Sequence, residues 1–482
     1  MRRYAFVILF LVVLVTPFLL KLALGTETRQ GSSGGDALPL VIISAHVEGI
    51  RREFADAFSE WHRERFGQRV RVDYRSYGGA SDIVRFFDSS RDTIFRDQGT
   101  YGIDLVWGGG DYLFEVQLKN PKKPELGVLQ SVALDAPIMK AAFPKPDLGG
   151  VPLYDRANEP QWFGTALSSF GIVYNKDVVR HLGLPEPKTW RDMAHSKYRG
   201  WIGLADPTRS ASARTAFMTI IERAMADAAE QGRSEDDGWA DGMGLIRLIS
   251  SNARLFSEGA SSVPGLISNG DAAAGMAIDF YARSQIEAVG ESRLGYVEPA
   301  GATIVNPDPI GMVRGAEHAE TAKRFIKFVL SERGQRLWNT RAGAGGGPKT
   351  TSLRRLAIMP SLYDPPNNRD FTDPVNPYAI SSSFNSSNAR KRSFTILGEL
   401  IQVSCMDVLD ELRDTRTMID ASPRAAALEA KLGKFPFDQK EALARADRLS
   451  KATAIDRLAM LRQWTNDFRA EYRQLREKAK QR

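Results

Sequence analysis

Between Leu40 and Ser90 the apolar positions change their period twice. Leu40–Ile43 is a continuous apolar run, the pattern of a buried strand, followed by Ser44-Ala45-His46-Val47-Glu48-Gly49. Ile50, Phe54, Phe58 and Trp61 then recur at spacings of three and four, with Arg and Glu opposite, which predicts an amphipathic helix. A second strand alternates Val70, Val72 and Tyr74 with charged residues, and the loop Ser76-Tyr77-Gly78-Gly79-Ala80-Ser81 opens a second helix. A third strand over 101–107 ends in Gly108-Gly109-Gly110-Asp111 before a helix at 112–118. Repeated strand–loop–helix units imply a parallel sheet with its loops at one carboxyl edge, where open α/β sheets bind ligands.

From Gln161 the pattern restarts. The stretch 162–175, containing Ser168-Ser169-Phe170, reads as two edge segments, followed by a short helix at 177–182. A buried strand at 201–207 leads through Thr208-Arg209-Ser210-Ala211-Ser212 into a helix over 213–228, and a helix start rich in hydroxyls favours anions. Helices at 238–250 and 264–269, a short strand at 254–256 and a strand-to-helix passage at 275–283 follow. Strands at 295–299 and 310–313 return the chain to its first half, and one helix is expected over 319–338. The Pro-, Asn- and Ser-rich stretch 360–387 reads as a boundary or wrapping loop. The remainder is helical, with a break near 433–436 and a final apolar stripe from Ile455 to Leu475.

With 482 residues, 43% of them hydrophobic, the chain has room for two or three domains. The net charge of +7 is concentrated at the end, where Arg390–Arg482 holds 20 basic and 14 acidic residues without a basic-aromatic platform, so nucleic acid is not an expected partner. The lone Cys405 excludes an intramolecular disulfide framework. Arg2 and Arg3 before the apolar run 4–20 mark an export segment, read either as a cleaved signal peptide or as an uncleaved membrane anchor (1–25). Residues 26–37 read as a flexible tether.

Four segments resemble the extracytoplasmic solute-binding proteins of ABC importers: 44–48, 104–110, 171–175 and, most specifically, 320–335, where Ala322-Lys323-Arg324-Phe325-Ile326 leads to Leu330-Ser331 and Gly334-Gln335. The resemblance covers roughly 40–365 and is closest to the ferric-ion-binding branch, because His46-Val47-Glu48 matches that branch's His-x-Glu loop. Only one tyrosine of its pair is kept, Tyr281 in Ile278-Asp279-Phe280-Tyr281, and glycines stand where its acidic ligand is expected.

The resemblance implies an α/β, two-lobe periplasmic-binding-protein type II (Venus-flytrap) fold with a C-terminal helical extension. Lobe 1 is expected over 38–150 plus 305–380, lobe 2 over 151–304, and the extension over 381–482. The implied function is capture of a small polar or anionic ligand (phosphate ester, phosphonate or carboxylate) in the interlobe cleft for an ABC permease. The chain would lie in the periplasm or otherwise outside the cytoplasmic membrane, as a monomer. The alternatives are ferric-iron transport and a membrane-anchored ligand-sensing module. No cofactor is expected, ferric ion entering only as a ligand held by His46 and Tyr281.

The candidate contacts are His46, Tyr77, Gly79, Ser81 and Gly109 from lobe 1, and Ser169, Arg209, Ser210, Asp279 and Tyr281 from lobe 2. Each also has a structural reading: the glycines as tight turns, Ser169 as a turn, Asp279 as a cap, Arg209 as a solvated arginine, Tyr281 as core. Catalysis is not expected, since the five histidines are dispersed and no Gly-x-Ser-x-Gly elbow occurs.

Overall fold

In the computed structural model, residues 37–481 are described apart from 98, 121–122, 381–385 and 387. The expected signal or anchor lies outside them, as does all of the tether but its last residue. No described helix is long and apolar enough to cross a membrane.

The repeated units of the first half form as the pattern predicts. Strand β1 (Leu38–Ser44) lies in parallel between β2 (Val70–Arg75) and β3 (Leu105–Trp107). Helix α1 (Glu48–Phe66) buries Ile50, Phe54, Phe58 and Trp61, and Gly67 closes it in the left-handed region (φ 76°). Helix α2 (Ala80–Asp97) follows β2. The segment expected as a helix after β3 is a π-helical turn, Leu113–Leu118.

The first sheet runs β14–β7–β13–β3–β1–β2, with β7 at Trp162–Ser168, β13 at Asn306–Val313 and β14 at Leu356–Ala357. Thus 162–168 belongs to the first sheet, whereas the resemblance implies lobe 2 from residue 151. The pairing of β7 with β13 and β14 decides this, and neither strand is adjacent to it in sequence.

The second sheet runs β10–β9–β11–β8–β12: Ala253–Ser257, Ile202–Ala205, Ala274–Ile278, Phe170–Asn175 and Leu294–Val297. Ser169 alone separates β7 from β8, so the chain passes between sheets in a single residue. The return crossing, 298–305, is tied to it by Thr303, whose hydroxyl accepts from Phe170 N (3.1 Å) and donates to Phe170 O (2.7 Å).

The helix expected over 319–338 is two helices, Ala319–Val329 and Glu332–Asn339. Ser331 caps the second by accepting from Gly334 N (3.3 Å), and a Cβ on Gly334 would meet Phe328 O at 2.1 Å. The apolar period survives the break, so periodicity alone could not reveal it.

The C-terminal helices are not a separate body. Phe217, Ile221, Trp239 and Ile246 of the second lobe share one core with Leu400, Leu412, Trp464, Phe468 and Tyr472. Within it the fully buried Arg247 pairs with Glu471 (2.8 Å) beneath the Tyr472 ring.

Candidate functional site

The carboxyl ends of the parallel strands in both sheets open onto one cleft of about 680 Å³. Lobe 1 contributes the turns after β1, β2 and β3. Lobe 2 contributes the turn after β9, which begins helix α3 (Ala211–Glu230), and the turn after β10. The lobes come close at Gly79, where a Cβ would stand 3.7 Å from the Arg209 carbonyl oxygen.

The floor on the lobe 1 side is a buried ionic chain centred on Asp308. Its strand is buried at every position, yet Pro307 and Pro309 flank it. Proline withholds a ladder donor and is tolerated inside a sheet at bulges, and the register with β7 does slip between Asp308 and Pro309. Thr165 bridges the slip by donating its hydroxyl to Asp308 O (2.8 Å). Bulges re-aim side chains, and here the carboxylate takes Arg355 Nη1 (2.5 Å), His46 Nε2 (2.8 Å) and Gly109 N (2.8 Å). Arg355 also donates to Ser168 Oγ (2.9 Å) and lies over the Phe280 ring.

Burial alone would raise the Asp308 carboxyl, but Arg355 and His46 outweigh it and hold the group well below the usual carboxylate range. Burial lowers the His46 pKa against the opposing pull of Asp308, so the neutral ring donates from Nε2 to Asp308 and accepts at Nδ1 from Ser44 Oγ (3.1 Å). Ser44–His46–Asp308 has the composition of a nucleophile triad. The Ser44 hydroxyl, however, is fully buried and accepts from His46 N (3.1 Å), so it is a turn and not a nucleophile facing the cleft.

Of the ten sequence-predicted residues, His46, Gly79, Ser81, Gly109, Arg209, Ser210 and Tyr281 line the cleft. Three do not. Tyr77 is exposed and stacks on Phe86 (4.6 Å). Ser169 is buried in the crossing, and Asp279 is buried beneath it, accepting from Ser169 N (2.9 Å) and Phe280 N (2.7 Å).

Gly108 N donates to Pro309 O, Gly109 N to Asp308, and Gly79 N to Asp82 Oδ2 (each 2.8 Å), so these amides are spent within the protein. The metal donors fare no better. Both His46 nitrogens are engaged, and burial raises the Tyr281 phenol despite Arg355, favouring its neutral form. Among the described residues no group of three or more His, Cys, Asp or Glu is placed to hold a metal ion.

The cation that sequence reasoning missed is Arg214. In the cleft Arg85 pairs with Asp82, Arg209 with Glu258 (2.8 Å) and Arg355 with Asp308. Arg214, in the first turns of α3, forms no ion pair among the described residues. Its Nε donates to Pro207 O (2.8 Å), its Nη2 reaches Thr208 O (3.5 Å), and its guanidinium lies over the Phe394 ring (5.4 Å). Beside it are the α3 amides that Ser210, which caps Ala213 N (3.2 Å), leaves unused. A helical position four residues past a cap ordinarily reads as a surface arginine, and only the fold of Pro207–Ser210 and Phe394 marks this one.

Beneath the crossing, Asp279, Glu298 and Asp373 gather around Arg283, which meets Glu298 through Nη2 (3.1 Å) and Asp373 through Nε (2.5 Å). Burial, with Asp373 and Glu298 adding to it, pushes Asp279 up to about 7 against the Ser169 amide and Arg283. A raised carboxyl favours the protonated native state, so its contribution to stability is complete below the ordinary carboxylate value and is lost as pH rises to about 7. Thermal midpoints should therefore fall between pH 5 and pH 8, and the slope should flatten in Asp279→Asn. An unchanged slope would place the titration elsewhere.

Residues 146–348 match the family described as bacterial extracellular solute-binding protein. The match covers less than half of the chain. The phosphoglycerate transport regulatory protein PgtC of Salmonella typhimurium is 26% identical over 206 residues, 41% of this chain and 47% of that protein. Iron uptake protein A1 of a Synechocystis species is 26% identical over 194 residues, 38% of this chain and 49% of that protein. The matches thus span about half the length of these curated relatives. The periplasmic binding protein AfuA from Actinobacillus pleuropneumoniae, solved with fructose-6-phosphate, superposes with a TM-score of 0.51 at 17% identity over 72% of this chain and 94% of that one. That likeness shows the two-lobe fold, to which this chain adds the C-terminal helices.

Proposed function

We propose that this is the extracytoplasmic solute-binding component of an ABC importer, and that its cargo is a small solute bearing an oxyanion: a phosphate ester, phosphonate or carboxylate. The observation that carries the reading is Arg214. It is a cleft guanidinium without a carboxylate partner among the described residues, beside the free amides of a 20-residue helix. A helix N-terminus and a guanidinium together bind an oxyanion through charge-assisted hydrogen bonds. Contacts from both lobes favour the closed form over the open one, which a permease distinguishes, and no covalent step is needed. The phosphorylated compounds named with PgtC and AfuA agree in chemical class with this reading.

Two other readings have specific support. Ferric transport has the iron-uptake relative, although His46 and Tyr281 are occupied or neutral as donors. Ligand sensing has the word regulatory in the name of PgtC.

A thermal-shift screen of the region from residue 37 separates the first two. Phosphoglycerate, fructose 6-phosphate, inorganic phosphate and ferric citrate would be compared. A true ligand at a hundred times its dissociation constant adds about 2.7 kcal/mol and raises the midpoint by a few degrees. A shift with a phosphorylated or carboxylated compound is expected, and a shift with ferric ion alone would replace the anion reading by the metal one.

A further inference from the structure

The C-terminal extension reaches the cleft at one point. Phe394 lies in the first half of the helix Asn388–Ile401, is 2% exposed, and lines the cleft although it lies beyond the part of the chain that resembles the solute-binding family. Its ring meets two others' groups. On one side is Tyr112 of lobe 1, with ring centroids 4.5 Å apart at 43°. On the other is the Arg214 guanidinium of lobe 2. Burial pushes the Tyr112 hydroxyl up to about 12, so that neighbour stays neutral and adds no charge beside Arg214.

One helical turn after Phe394 stands Gly398. A Cβ there would lie 3.2 Å from Pro207 O and 3.4 Å from Arg214 Nη2, so the same helix presses on Arg214 and on the carbonyl that fixes its Nε. The helix is itself tied to the final helix by Glu399 and Arg457 (2.5 Å). A guanidinium stacked on an aromatic face and held by a backbone carbonyl has little rotamer freedom left to lose when an anion arrives.

We propose that Phe394 is a positioning residue that holds Arg214 and the start of α3 in the cleft wall, making the C-terminal extension part of the solute site. The inference rests on the oxyanion reading for what Arg214 does, but not for how Arg214 is held. Phe394 acts through Arg214 and, by touching Tyr112, also joins the extension to lobe 1.

The test uses the chain from residue 37, with Phe394→Leu, Phe394→Tyr and Gly398→Ala. Leucine keeps an apolar filling but removes the ring. Tyrosine restores the ring, and alanine at 398 disturbs Arg214 from the other side while favouring the helix itself. Amide hydrogen exchange over 207–213, without any ligand, is expected to quicken about fivefold or more in Phe394→Leu and Gly398→Ala and to return toward the parent rate in Phe394→Tyr. Affinity for inorganic phosphate and fructose 6-phosphate, by calorimetry, is expected to weaken about three- to tenfold in the same two variants and to recover with tyrosine. Unchanged exchange over 207–213 in both variants would overturn the proposal. If the parent binds neither anion while exchange responds as expected, the positioning role stands and the oxyanion reading falls.

Discussion

Arg355→Met is expected to lower the unfolding free energy by about 3–5 kcal/mol, the range for removing one partner of a buried ion pair. Asp308 would keep its charge in a buried site with only a neutral His46 and the Gly109 amide to offset it, and Ser168 would lose its donor. Urea denaturation at pH 7 measures the loss. The pH dependence follows from the sign of the Asp308 shift. A carboxyl held below its ordinary value adds stability that is present above that value and is lost as pH falls below it. The parent should therefore weaken in acid more steeply than the variant, and the gap between them should narrow below about pH 4. Asp308→Asn combined with Arg355→Met should recover part of the loss, because neither charge then remains unpaired. A single-variant loss under about 1 kcal/mol, the range of exposed pairs, would mean that water reaches Asp308 and that the chain is not the rigid floor of the cleft.

Arg214→Ala is expected to weaken binding of the oxyanion ligand by about 1.5–3 kcal/mol, the range for hydrogen bonds to a charged group, or roughly 10- to 100-fold. Arg209→Ala should change it by less than about threefold, since Arg209 is exposed and already shares a solvated pair with Glu258. Arg214→Lys should restore only part of the affinity, because an ammonium lacks the planar fork that meets two oxygens at once. Calorimetry with the anion found in the thermal screen reads all three. The reverse ranking, with Arg209 dominant, would return the site to the loop before α3 and remove the case for Arg214.

The sequence pattern marks Arg209 and leaves Arg214 unmarked. Arg209 sits between Thr208 and Ser210 at a helix start, where an anion contact is plausible by type alone. Arg214 is five residues on, inside a helical pattern, and what distinguishes it is a ring almost two hundred residues away. Tyr77 and Asp279 make the same point: the first points to solvent and the second lies below the interlobe crossing.

Gly109 lines the cleft, but its amide is consumed by Asp308 from a strand far along the chain. The left-handed conformations at Gly108–Gly110 (φ 85–110°) account for the glycines on backbone grounds, with the His46 ring packed 3.0 Å from where a Gly108 Cβ would be.

The sequence by itself determined the local elements: the period of apolar residues names α1, β1 to β3 and the final helix, because a side chain's burial on a helix or strand depends on near neighbours in the chain. It determined as well that the turns after β1, β2 and β3 share one edge, since parallel strands joined by helices admit no other arrangement. Tertiary structure alone decided that β7 joins the first sheet and that a bulge between two prolines aims Asp308 at His46 and Arg355. It also decided that the C-terminal helices enter the second lobe's core and bring Phe394 to Arg214. These depend on pairings across tens to hundreds of residues, where many registers satisfy the same apolar pattern and only simultaneous packing and charge compensation select one.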